Sequence, residues 1–153
     1  MLGSRTQASV ARDAWRCIFQ LVFSEESHDR MHDACEAVGV TPGLMKALLS
    51  LQPGHPKPMK PLAAEWRCDA SYVTSLVDGL EERGFVERQV SSQDRRAKVV
   101  VLTGAGERAR EELLEHLHQP PEFFSKLSAA ERRTLRDLLA KLVDAAGPAA
   151  HPS

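Results

Sequence analysis

The chain has 153 residues, in which 20 lysines and arginines face 21 aspartates and glutamates, for a net charge of −1. That length holds about one domain and excludes a multidomain enzyme, while 42% hydrophobic and 27% charged residues exclude a disordered chain. With no overall positive charge there is no global pull toward nucleic acid, so any such site must be local.

Met1-Leu2-Gly3-Ser4-Arg5 leads into charged sequence, and no apolar run approaches the ~18–20 residues that span a bilayer. The expectation is a soluble, cytoplasmic protein without a membrane partner. Trp15, Ile18, Phe19, Val22 and Phe23 then recur at helical spacing within a segment from about Gln7 to Val38. This predicts one long helix stopped by Gly39. Thr41-Pro42 reads as an N-cap with proline in the first helical position, Leu44, Met45, Leu48 and Leu49 share a face, and Pro53-Gly54 ends that second helix. His55-Pro56-Lys57-Pro58 reads as a linker.

Leu62, Ala63 and Trp66 predict a short helix beginning near Met59. Arg67-Cys68-Asp69 leaves room only for a tight turn, and Asp69 caps a further helix whose apolar positions are Val73, Leu76, Val77 and Leu80. The period changes beyond Gly84. Phe85-Val86-Glu87-Arg88 and Lys98-Val99-Val100-Val101-Leu102 flank the polar stretch 90–97, the pattern of a hairpin. A helix-turn-helix followed by a hairpin is a winged helix. Helical pattern resumes after Thr103, breaks at Pro120-Pro121, and resumes after Ser128-Ala129-Ala130-Glu131, which has capping-box spacing.

The predicted fold class is therefore mainly α (α+β), a winged helix-turn-helix flanked by terminal helices. The expected organisation is an N-terminal helix suited to dimerisation over 1–38, a winged-helix core of the kind that could bind DNA over 39–104, C-terminal helices suited to dimerisation over 105–146 and a flexible tail over 147–153. The terminal helices carry more apolar surface than one small domain needs, which points to a second copy of the chain. Folding back onto the central domain is the alternative.

The ordered residues Leu62-Ala63, Asp69 through Arg88 with its Leu80-Glu81-Glu82-Arg83-Gly84-Phe85-Val86, Asp94-Arg95-Arg96 and Leu102-Thr103-Gly104-Ala105-Gly106 resemble the MarR family of bacterial transcription regulators. The resemblance is most specific at the helix and wing and covers most of the chain once the flanking helices are included. It implies a homodimer, more often a repressor, on a pseudopalindromic operator, with recognition helices in major-groove half-sites roughly 34–36 Å apart and wings in the flanking minor grooves. It also implies a small-molecule effector, often lipophilic or phenolic, bound between the dimerisation helices and the winged helix. Trp15, Phe19, Met45 and Trp66 are the candidate lining, or plain core.

Ser71, Thr74, Ser75 and Asp78 lie away from the apolar stripe of the recognition helix and can face a major groove, and Tyr72 can send its hydroxyl to a phosphate. Many members of the family carry arginine at the positions of Ser75 and Gly79, so this helix shifts weight to the wing and to groove shape. Arg95 and Arg96 project from the wing, and the resemblance has Asp94 fixing the wing while Arg96 enters the minor groove. Arg88, Lys98, Lys57, Lys60 and Arg67 are candidate phosphate contacts.

His28 and His32, with Cys35 and Glu36 a turn further, could line one helix face and hold Zn²⁺, with His116 or His118 converging on it, or could be a wet polar face. His28-Asp29-x-x-His32 departs from the metalloprotease motif in its carboxylate and lacks a convincing third ligand, and no phosphate loop or Ser-His-Asp arrangement is present, so no enzyme is expected. Cys17, Cys35 and Cys68 are odd in number and lack C-x-x-C spacing, which excludes a disulfide framework. Cys17 sits in apolar sequence with no lysine or arginine arranged to activate it, and Cys35 is flanked by Asp33 and Glu36, which work against its thiolate. No cofactor is required. The rival readings are a zinc- or thiol-responsive regulator of the same fold, and a dimeric helical adapter that binds protein instead of DNA.

Overall fold

The computed structural model describes residues 2–147. Helix α1 (Leu2–Val22) and helix α2 (Glu25–Val38) replace the single long helix expected from periodicity. Ser24 makes the break. It is extended (φ −68°, ψ 155°), its Oγ accepts the Ser27 backbone N–H at 3.2 Å, and Ser27 Oγ donates to the Leu21 carbonyl at 2.7 Å. Glu25 and Glu26 complement the new helix N-terminus. Gly39, at φ 75°, closes α2 by donating its N–H to the Cys35 and Glu36 carbonyls.

Helix α3 (Pro42–Ser50) starts on Thr41, whose side chain accepts the Leu44 N–H at 3.3 Å. It packs against α2 and against the helix-turn-helix, which consists of α4 (Leu62–Trp66) and α5 (Ala70–Glu82). The turn between them is set by Arg67, left-handed at φ 52°, with its N–H donated to the Ala63 and Ala64 carbonyls. Leu48, Leu62, Val77, Leu80 and Leu113 have 0% exposure and mark the centre of the core.

The wing is a three-stranded antiparallel sheet in the order β1-β3-β2. Strand β2 (Val86–Val90) and strand β3 (Lys98–Leu102) pair from Val86 opposite Leu102 to Val90 opposite Lys98. Strand β1 (Lys57–Pro58) pairs with the other side of β3, Lys57 opposite Val100. The expected linker therefore contributes a strand. Two residues, one of them a proline, show no alternation, and only the long-range partner makes them a strand.

Helix α6 (Gly104–His118) returns along α2, a 3-10 turn spans Glu122–Lys126, and α7 (Ala129–Ala146) closes the chain. Thr103 and Ser128 cap α6 and α7, and Ser128 with Glu131 forms the capping box read from the sequence. No residue of α7 is buried, and Trp15, Phe19 and Val22 on α1 are exposed at 66%, 52% and 61%. The tail expected over 147–153 falls, beyond Gly147, outside the described residues.

Candidate nucleic-acid interface

Helix α5 is held by its cap. Asp69 Oδ1 accepts the Tyr72 N–H at 2.8 Å and the Ser71 hydroxyl at 2.5 Å, and these bonds, the Ser71 one foremost, hold the carboxyl below the usual carboxylate range. Val73, Leu76, Val77 and Leu80 enter the core, while Ser71, Tyr72, Thr74, Ser75 and Asp78 are exposed. Thr74 Oγ1 donates to the Ala70 carbonyl at 3.1 Å and Ser75 Oγ to the Ser71 carbonyl at 3.2 Å. The Tyr72 ring lies over the start of α3, where a Cβ added at Gly43 would sit 2.6 Å from the Tyr72 hydroxyl.

Arg88 differs from the expectation that it contacts phosphate. From β2 its guanidinium bonds Asp78 and Glu81 of α5 and reaches the Thr74 carbonyl, and its backbone N–H donates to Glu81 at 3.1 Å. Burial works against the charge, yet the bonds to Asp78 and Glu81 outweigh it and raise the pKa of the guanidinium. Arg88 thus ties the wing to the recognition helix and is not free for DNA. Lys57 is likewise engaged, by Glu65 and by the Ser50 carbonyl. Sequence periodicity could not show either pairing, since both join different elements.

The wing tip is closed by its own backbone. Asp94 Oδ1 accepts the Arg96 N–H at 2.9 Å, Ser91 Oγ accepts the Gln93 N–H at 3.2 Å, and Ser91 N and Ala97 O pair at 2.9 Å. Asp94 therefore fixes the tip through the main chain and leaves both guanidinium groups unclaimed. Arg95, Arg96 and Lys98 are exposed, and neither arginine has an ion-pair partner among the described residues. Lys60 and Arg67 are exposed too.

A cleft of about 450 Å³ between α3 and the helix-turn-helix is lined by Gly43, Lys46, Trp66, Arg67, Cys68 and Tyr72. Lys46 escaped the sequence reading. Its signal was that it is the only charge in α3, on the face opposite Leu44 and Leu48.

The four candidate effector residues do not converge within one chain. Trp15 and Phe19 are exposed on α1, with Phe19 stacked on Phe23 at 4.4 Å between centroids. Met45 is buried, with the Cys35 thiol 3.6 Å from its sulfur, and the half-buried Trp66 donates its indole N–H to Ser50 Oγ at 2.8 Å. The candidate metal residues are also divided. His28, His32 and Glu36 are exposed, whereas Cys35 points into the core, where burial raises its thiol pKa. His116 Nδ1 lies 2.9 Å from the Glu112 carbonyl of its own helix, and the described residues contain no group of three His, Cys, Asp or Glu that could hold a metal ion. Nor do they contain a helix long and apolar enough to cross a membrane.

Cα placement and sequence agree with known proteins. The MarR family model matches residues 40–98, from just before α3 to the first residue of β3. The HTH-type transcriptional regulator BilQ of Clostridium symbiosum is 30% identical over 105 residues, covering 68% of this chain and 73% of that protein. The chain belongs to the MarR family. A Thauera aromatica protein assigned to transcriptional regulation of an hcr operon is 36% identical over 107 residues, 68% of this chain, which spans 63% of that protein's length. Apo MarR from E. coli superposes with a TM-score of 0.67 at 25% identity, over 82% of this chain and 93% of that one. The same MarR fold occurs in the S. aureus MepR–DNA complex, with a TM-score of 0.58 and 21% identity over 82% of this chain and 98% of that one. These are regulators, not enzymes.

Proposed function

We infer that the chain is a DNA-binding transcription regulator that acts as a homodimer on a pseudopalindromic operator, as a repressor by family resemblance. The observation that carries this reading is the pairing of an exposed α5 face with a wing tip whose two arginines are unpaired, both held in one unit by Arg88. Such a unit can place α5 in a major groove and Arg95 and Arg96 in the adjacent minor groove, where negative potential favours arginine. The apolar faces of α1 and α7 supply the surface for a second copy. A hollow of about 750 Å³ at the α1–α2 elbow, lined by Phe23, His28 and Met31 among others, offers a lipophilic effector a seat beside that surface.

Selection of bound sites from a random duplex library by the full chain, followed by a salt series on the recovered site, tests the reading. Affinity falls steeply as salt rises, because cations on the protein displace counterions from phosphates. Replacing Arg96 with alanine weakens the specific complex by about 1–3 kcal/mol. Recovery of no preferred sequence, or binding indifferent to salt, contradicts it.

A further inference from the structure

Helix α5 has a chemical peculiarity for a major-groove reader: between Ala70 and Glu82 it carries no lysine or arginine and three carboxylates, Asp78, Glu81 and Glu82. Three of its four exposed hydroxyls, all but that of Tyr72, have also committed their protons. Ser71 donates to Asp69, Thr74 to the Ala70 carbonyl and Ser75 to the Ser71 carbonyl, so each oxygen faces outward as an acceptor. Ser71, Ser75 and Asp78 follow at i, i+4 and i+7, opposite the buried stripe, with Thr74 beside them on the wing side. Asp78 is engaged through one oxygen by Arg88, while its Oδ2 has no donor among the described residues and its side chain is 52% exposed.

We propose that α5 reads the major groove as a hydrogen-bond acceptor, with Thr74, Ser75 and Asp78 selecting the exocyclic amino groups of cytosine and adenine. Guanine offers O6 and N7, both acceptors, which this face does not complement. A bare carboxylate this close to phosphates would be repelled. Arg88 lowers that obstacle from the protein side: its single positive charge, shared by Asp78 and Glu81, offsets one of their two negative charges and leaves the second Asp78 oxygen as an acceptor. This inference rests on the DNA-binding reading above and assigns the base chemistry of that same site.

The experiment uses the full chain and its selected operator. Each guanine of a half-site is replaced in turn by 7-deazaguanine, which lacks the N7 acceptor. Each adenine is replaced by purine and each cytosine by pyrimidin-2-one, which lack the amino group. Deleting the amino group at one or more positions lowers affinity by about tenfold, whereas 7-deazaguanine changes it by no more than about twofold. The loss at a given base disappears in the matching Thr74→Val, Ser75→Ala or Asp78→Ala variant, and retention of the wild-type melting temperature shows the variant to be folded. The proposal is overturned if 7-deazaguanine is the more damaging replacement, a result readable from the wild type alone. It is overturned equally if the amino deletions cost the same in wild type and in all three folded variants. A chain that selects no site at all sinks the DNA-binding reading instead, so the two failures are distinct.

Discussion

Gly106 shows what a single residue can demand. A Cβ built on it would lie 1.9 Å from the Phe85 carbonyl oxygen, a backbone atom that cannot step aside, because α6 crosses the chain just before β2 at that point. The Thr103 N–H also donates to Phe85 at 3.0 Å, so the crossing is pinned on both sides. Replacing Gly106 with alanine is expected to lower stability by about 1–3 kcal/mol or more, read from denaturant melts. Unchanged stability would mean that α6 moves away freely. The glycine was legible as part of Leu102-Thr103-x-x-Gly106, but its reason was not, since the obstructing carbonyl is distant in sequence. Arg88 teaches the same lesson with opposite effect. As a letter in the chain it looked like one more cation for phosphate, and only the position of Asp78 and Glu81 across the wing shows it to be spent inside the protein.

Among elements, the caps were the most legible feature. Thr41, Asp69, Thr103 and Ser128 were each named as helix starts from sequence, and each side chain accepts the expected backbone N–H. Ser24 was missed because the apolar spacing on its N-terminal side masked a polar Ser-Glu-Glu-Ser stretch that starts a helix as readily as it continues one. Strand β1 was missed because a two-residue strand exists only through its partner. The cap of α5 makes a pH prediction. Asp69 has its carboxyl pKa lowered in the folded chain, so it stabilises the fold above the ordinary carboxylate range and loses that effect as the pH falls through the lowered value. Thermal melts of wild type and Asp69→Ala therefore differ near neutral pH and converge in acid, once the pH has fallen through the lowered value. A gap between them that stays constant with pH would show that the carboxylate's charge is not what holds the cap.

For the whole molecule, the exposed apolar residues separate by location. Leu138, Leu142 and Val143 on α7 are exposed at 54%, 58% and 63%, in a chain whose central core is closed. In a two-fold dimer each buried leucine counts twice, at about 1.5–3 kcal/mol per side chain. Leu142→Glu is accordingly expected to raise the dimer dissociation constant by about a hundredfold or more, measured by analytical ultracentrifugation, with the helical content of the monomer kept. Identical sedimentation of variant and wild type would remove α7 from the interface. Amphipathic spacing showed these faces in sequence, but spacing alone cannot separate a face buried within one chain from a face left for another. The wing has a consequence of a different kind. Its most apolar run, Val99-Val100-Val101, is the interior strand of the sheet, and on one side the neighbour is Lys57-Pro58. A two-residue strand that ends in proline has almost no ladder to offer a further chain, and the opposite edge presents Glu87, Arg88 and Gln89. This apolar run thus lies between a short edge that ends in proline and an edge rich in charged and polar side chains, two devices that discourage a sheet from pairing with a further chain.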